Sequence, residues 1–471
     1  MMQLVSVVRG PIDKIMALRR HDGRRAPSPP THGPLGHLAP MRADRLGYVL
    51  RNREEYGDVV RMRFGHLTAH FLAHPDHVKH VLVDNARRYD KQTKGFNNLR
   101  LILGNGLLTS EGDFWRRQRR IAQPAFHRDR ISAFAPCITQ AAESLCEEWQ
   151  RPARAGEAVD VAAEMMRLAL RIAGETLLST DVTADADVVG SSIAFLLRAA
   201  NDRIMMPLEM PMTVPTPGNL RIRRAIDALD VVVHRTIDER RRSSARPNDL
   251  LTMLMEARDE ETGEAMSNQQ LRDEVMTLFL AGHETTATAM GWTFYLLSKH
   301  PDVERLLRAE LHEVLGGRSP TLADLPQLAC TKRVIQESMR LYPPAWMVGR
   351  RAVEPDEIGG YPIDAGSLVF VSPWLTHHHP AFWENPEGFD PDRFLPDRAA
   401  ALPRFAYFPF GAGPRLCIGQ GFAMMETQLL LATIAQRFRM NLVPGHPVVA
   451  DPCITLRPRS GIRMTLHAMQ P

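Results

Sequence analysis

The stretch FGAGPRLCIG, Phe410 to Gly419, decides how the rest of the chain is read. It gathers three glycines and a proline around one cysteine, with Arg415 two residues ahead of Cys417. Glycine and proline break regular structure, so this is a tightly bent loop. Two residues further on comes FAMMETQLLLATIAQRF, an apolar run of helical length. Turned backbone can aim N–H groups at a sulfur, and the positive end of the next helix adds to them; both favour thiolate over thiol. Arg415 can meet an anionic ligand edge, a charge-assisted contact worth roughly 1.5–3 kcal/mol. The glycines let a large flat ligand come close. A lone cysteine is ordinarily inert core, but this one has the setting of a buried thiolate built to bind iron.

The pattern F-x-x-G-x-R-x-C-x-G resembles the haem-binding loop of the cytochrome P450 monooxygenases. It matches at all five fixed positions: Phe410, Gly413, Arg415, Cys417 and Gly419. The resemblance implies haem b as the cofactor and Cys417 as the ligand to its iron. Thiolate ligation pushes electron density towards the metal and favours O–O cleavage.

A second segment bears on the same chemistry. SNQQLRDEVMTLFLAGHETTATAMGWTFYLLSKHP starts at Ser267 with a capping box, Ser267 and Gln270, and closes at Pro301. The spacing predicts one helix over 267–299, far longer than usual. Its middle, AGHETT at 281–286, sets a glycine, an acid and two threonines in an apolar run. Gly282 weakens a helix by about 1 kcal/mol relative to alanine, but it leaves room for a ligand. Oxygen activation needs protons delivered to an apolar site, which a carboxyl and a hydroxyl can relay. The segment is similar to the family's A-G-x-[D/E]-T-[T/S]. That similarity implies Glu284 as the acid, Thr285 as the oxygen-activating hydroxyl and Ala281 beside the haem. Thr286 has the weaker claim, and His283 is read as packing.

Further matches follow in order. ESMR places Glu337 and Arg340 on one helix face, and FDPDRF supplies Arg393. By resemblance these three form a structural triad behind the haem, with Asp392 where glutamate is usual. WRRQR gives Trp115 and Arg119, similar to the family's W-x-x-x-R, for the haem propionates. Arg350 is the second cation, Arg351 competes with it, and Lys91 in YDKQT is a further candidate. The other arginines of 116–120 are read as solvated or as part of a partner-facing surface. THHHP, 376–380, is read as structural.

Composition agrees with an enzyme of this kind. Of 471 residues 44% are apolar and 24% charged, and the net charge is only +4, which gives no case for nucleic acid. Five widely spaced cysteines without a C-x-x-C pair fit a reducing compartment and exclude a local four-cysteine metal site. No run of about twenty apolar residues exists, so no membrane span is expected. The chain is therefore expected to be cytoplasmic and monomeric.

The expected fold is mainly α with small β-sheets, the cytochrome P450 fold, with haem between the long distal helix and the cysteine loop. Residues 1–33 are a proline-rich lead-in outside the core, and 34–471 a single domain. DVVRMRFG and HLTAHFLA read as a strand pair, helical patterns dominate 76–200, and short strands return at 357–371 and 453–466. IMMPLEMPMTVPTPG, 204–218, cannot be one helix and is read as an adaptable cover over something apolar.

The pocket is expected to draw on the 92–108 and 200–216 loops, Ala281 and Thr285. Ala345, Trp346, Met347, Val348 and Ile454 complete its wall. The function implied is insertion of one oxygen atom from O2 into an apolar small molecule, such as a terpenoid or fatty acid. The chain ends soon after its last strand, so electrons are expected from a separate ferredoxin or flavodoxin with its reductase. Rival readings are a peroxide-using or isomerising haem-thiolate enzyme and a non-catalytic haem sensor. The acid–threonine pair argues against the first.

Overall fold

The computed structural model describes residues 25–469 apart from 32, 180–185 and 245. Most of the lead-in therefore lies outside the described residues. The part that is described does not stand clear of the core: Ala26 is buried, and the Arg61 N–H donates to the Pro27 carbonyl at 2.8 Å. Prolines offer no N–H but keep their carbonyls, which can cover the edge of a sheet.

That sheet is the largest of four among the described residues. Its five strands run in the order Val59–Phe64, Leu67–Leu72, Leu368–Val371, Val348–Ala352 and Tyr89–Asp90. The first two form the expected antiparallel hairpin, with Val59 opposite Leu72. The third joins in parallel, Ala69 beside Leu368, so residues nearly 300 apart in sequence share one ladder. The strand Val348–Ala352 lies antiparallel to it and carries Arg350 and Arg351 on successive, opposite faces. The turns at Gly359, Gly360 and Gly366 have positive φ, as expected between Asp356–Ile358, Tyr361–Ile363 and Leu368–Val371.

The body is helical. The helix Asn268–Lys299 has 32 residues and starts at the predicted capping box, with both reciprocal bonds formed. It is buried on nearly every side, which is how a helix without one apolar face becomes the centre of a protein. Around it pack Ala135–Ala155, Val161–Ala173, Ala329–Leu341 and Gln420–Arg437. Trp292, on the central helix, stacks on Tyr342 with centroids 4.0 Å apart and donates its indole N–H to the Leu456 carbonyl at 2.7 Å. The 204–218 segment is the end of the helix Ala186–Met205, a loop, and the start of Pro217–Arg242. None of the described helices is long and apolar enough to cross a membrane.

Candidate active site

A cavity of about 850 Å³ lies between the central helix and the cysteine loop. The loop that forms one wall is held by short backbone bonds: Gly411 N–H to Phe408 carbonyl, Cys417 N–H to Phe410 carbonyl, and Leu416 N–H to Gly413 carbonyl, at 2.9 to 3.0 Å. Gly411 and Gly413 have positive φ. Gly413 does not line the cavity. It lies so close to the Leu82 carbonyl that any Cβ would collide with it, so its part is to let the loop dock.

Cys417 presents its sulfur to the cavity, with Phe410, Arg415 and Gly419 beside it. Desolvation pushes the thiol pKa up; the Gly419 N–H and the Arg119 charge work against that. Cys417 lies just before the helix Gln420–Arg437, so the helix dipole also favours the anion.

At another part of the same cavity, cations crowd together. Lys91 and Arg350 are buried, at 5% and 7% exposure, and Arg415 is close to them. Burial lowers the pKa of all three: Arg350 and Arg415 to about 10, while Lys91 is also opposed by the charges of Arg350 and Arg415. The Lys91 ammonium donates to the Leu108 carbonyl at 2.7 Å. Among the described residues Arg350 bonds only the neighbouring Gly349 carbonyl, and Nη1 of Arg415 is buried without a partner. One carboxylate, Glu111, approaches Arg415 at 3.3 Å. Two buried cations and a half-buried one, against Glu111 and the Asp90 that Arg351 already holds, leave positive charge in want of an anion.

The rival cation is taken: Arg351 pairs with Asp90 at 2.5 Å. Arg119 lines the cavity and donates to the Leu416 carbonyl at 3.0 Å, bracing the cysteine loop. Arg117 and Arg120 are not a free solvated face. Both reach Asp259, at 3.3 and 2.7 Å, and so tie their helix to the segment ahead of the central one.

The central helix supplies the opposite wall through Ala281, Gly282 and Thr285. A Cβ at Gly282 would meet nothing, so the glycine leaves open space. Thr285 donates its hydroxyl to the Ala281 carbonyl at 2.7 Å. Glu284 is buried, and the Thr455 hydroxyl donates to it at 2.7 Å; burial raises its pKa against the pull of Thr455 and Arg457. His283 turns its ring to the Phe279 carbonyl, and burial lowers its pKa to about 4. The expected wall residues Ala345, Trp346, Met347, Val348 and Ile454 all line the cavity, as do Met205 and Met206 from the methionine-rich cover.

Behind the loop, Glu337 takes both ends of the Arg340 fork, at 2.7 and 2.8 Å, and receives Arg393 at 3.3 Å. All three are buried. The THHHP histidines each have separate partners: His377 accepts from the Phe408 N–H at 3.0 Å, His378 faces the Trp374 carbonyl, and His379 meets Asp58 at 2.9 Å.

A buried acid in the lining escaped the sequence reading. Glu426, fully enclosed on the helix after the cysteine, receives the Thr286 hydroxyl at 2.9 Å and has its pKa pushed up to about 8 by burial. A single acid inside MMETQLLL was the available signal. Thr286 thus bonds an acid, while its neighbour Thr285 bonds the Ala281 carbonyl of its own helix.

Comparison with known proteins places these features in context. The family model described as Cytochrome P450 matches residues 27–464. Cyclooctat-9-en-7-ol 5-monooxygenase of Streptomyces melanosporofaciens is 40% identical over 412 residues, 87% of this chain and 88% of that one. Pentalenene oxygenase of Streptomyces avermitilis is 34% identical, covering 93% of this chain and 96% of that one. The crystal structure of the cytochrome P450DA haem domain superposes with a TM-score of 0.87 at 28% identity, covering 95% and 98% of the two chains.

Proposed function

The chain belongs to the cytochrome P450 family and is an oxidoreductase of that class; from that premise we propose that it inserts one oxygen atom from O2 into a terpenoid, with Cys417 ligating the iron of haem b. The observation that carries the reading is the shared cavity: the Cys417 sulfur, the Ala281–Thr285 wall and the Lys91–Arg350–Arg415 cluster all border it.

The residues present fit a haem. The unpartnered Nη1 of Arg415 and the nearly unpaired Arg350 are what two propionates would satisfy. Lys91 joins them, and Trp115 carries Arg415. When bound, the haem supplies the activation of dioxygen and the transfer of one oxygen atom.

The remaining work belongs to the chain. The loop bonds around Cys417 hold the sulfur facing the cavity, and the Gly419 N–H and the Arg119 charge favour its anion against the desolvation that raises its pKa. Gly282 keeps space open above the site. Thr285 must turn its hydroxyl away from the Ala281 carbonyl to hand a proton into the cavity, and Glu284, poised with a raised pKa, can resupply it. Trp346, Phe96 and Leu99 give the wall an apolar character that excludes water from the reacting carbon. Residues 34–471 would act as one domain, working as a cytoplasmic monomer. Electrons would come from a ferredoxin or flavodoxin with its reductase.

Terpenoids are preferred over fatty acids because both relatives named above carry terpenoid names. Of the cations lining the cavity away from the cysteine loop, Lys94 pairs with Glu209 at 3.4 Å and Arg45 is hydrogen-bonded to Asn201 at 2.9 Å. The test is haem band shift and turnover with cyclic terpenes and terpene alcohols against fatty acids, using dioxygen with a ferredoxin system and, separately, peroxide alone. Product from terpenes with dioxygen supports the reading. Turnover only with peroxide, or no product from any apolar compound, refutes it. A Cys417→Ser variant should lose the red-shifted band of the reduced, carbon-monoxide-bound protein.

A further inference from the structure

Ahead of the helix Gly112–Ala122, the loop Gly104–Leu108 lies against the N-terminal part of the central helix. The approach is so close that only glycine fits: a Cβ at Gly104 would collide with the Asp273 carboxylate, and one at Gly106 with the Thr277 hydroxyl. Two backbone N–H groups of this loop point at two acids. Asn105 donates to Asp273 at 2.8 Å, and Leu107 donates to Glu274 at 3.0 Å.

The two acids are not alike. Asp273 is also held by Gln269 at 2.9 Å and Arg272 at 3.1 Å. Glu274 is fully buried, its Oε1 has no partner, and Leu107 is the sole group bonded to it among the described residues. Burying a carboxyl for one backbone bond is costly, and desolvation raises its pKa to about 7. A residue kept at such cost acts through what it holds.

What it holds leads to the cation cluster. The residue after Leu107 gives its carbonyl to the Lys91 ammonium at 2.7 Å. Thr109 closes the loop on itself through the Gly104 and Gly106 carbonyls, and Arg100 grips the Thr109 carbonyl at 2.7 Å. We propose that Glu274 is a positioning residue: by docking the Leu107 backbone on the central helix it fixes the Leu108 carbonyl on Lys91, and so sets that ammonium where the cofactor's carboxylate is received. The inference rests on the haem reading of the cavity.

The test uses the haem-loaded protein and two readouts apart from turnover: transfer of haem to an excess of apomyoglobin, and backbone hydrogen exchange of the peptide spanning 104–110. Glu274→Gln keeps an acceptor for the Leu107 N–H and should behave like the parent. Glu274→Leu should speed haem loss and exchange of that peptide about tenfold, the lower end for loss of an outer-shell partner. Lys91→Leu should speed haem loss as well, and the double variant should lose haem no faster than Lys91→Leu alone, because both act through one contact. Should Glu274→Leu fail to fold, Glu274→Asp, which draws the carboxylate back from Leu107, takes its place in the cycle. Unchanged haem loss in Glu274→Leu, equal loss in Glu274→Gln and Glu274→Leu, or multiplied effects in the double variant would overturn the proposal. A parent protein that takes up no haem would instead overturn the reading it rests on.

Discussion

The guanidinium of Arg415 lies over the indole of Trp115, 3.7 Å from the ring centroid. These two residues come from the cysteine loop and from the helix Gly112–Ala122, 300 positions apart. The stacking aims a planar, permanently charged group into the cavity wall while Glu111 holds it from the side. Trp115→Leu removes a partly desolvated cation–π contact worth about 1–2 kcal/mol. Haem should then dissociate about tenfold faster. Arg415→Lys should be worse than Trp115→Leu, because an ammonium can neither stack nor fork. Equal retention of haem in all three proteins would show that the stack has no such role.

Gly411 and Gly413 separate two demands on a glycine. Both have positive φ, but a Cβ at Gly411 would meet nothing, whereas at Gly413 it would strike the Leu82 carbonyl. Gly411→Ala should cost only the left-handed backbone strain, about 1–2 kcal/mol, and keep its haem. Gly413→Ala should displace the loop and empty the site. Pigment content after purification distinguishes them, and matching pigment in both variants would contradict the packing argument.

Glu337, Arg340 and Arg393 form a buried ion cluster whose charges leave each other uncompensated if one is removed. Arg340→Ala should therefore destabilise the protein by about 3–5 kcal/mol. Urea unfolding reads this directly, and a change below 1 kcal/mol would mean water reaches the site.

Glu426 should give the stability curve a slope with pH. Its folded pKa of about 8 lies above the ordinary carboxyl value. The native state therefore keeps a proton that the unfolded chain releases, and stability falls as pH rises from about 4.5 through 8. Glu426→Gln cannot titrate, so its stability relative to the parent should improve across that window. Urea midpoints of the two proteins at pH 6 and pH 9 should diverge, and parallel midpoints would place the carboxyl in water.

Much of this protein was legible in the linear chain because some patterns depend on neighbours in sequence. The capping box at Ser267, the glycine-bent cysteine loop and the strand pair 59–72 each follow from local backbone preference and side-chain period. The resemblance of the loop at 410–419 pointed to Cys417, and that of AGHETT at 281–286 to Glu284 and Thr285. Which residues those groups face was not legible. Thr285 and Thr286 are adjacent and identical, yet one bonds its own helix and the other a buried acid 140 positions away.

Arg350 and Arg351 show the same division. Both follow the same helix, and either could have served as the cation. The strand's alternation turns one into the cavity wall and the other towards Asp90. The element types, the cysteine and its bend could be read from the linear chain, because these are set within a few residues. The partners of each charge, the collision that makes Gly413 obligatory and the docking of Leu107 on Glu274 emerge only in the folded chain. Burial and contact arise between segments that the chain brings together from hundreds of residues apart, and no local pattern encodes that meeting.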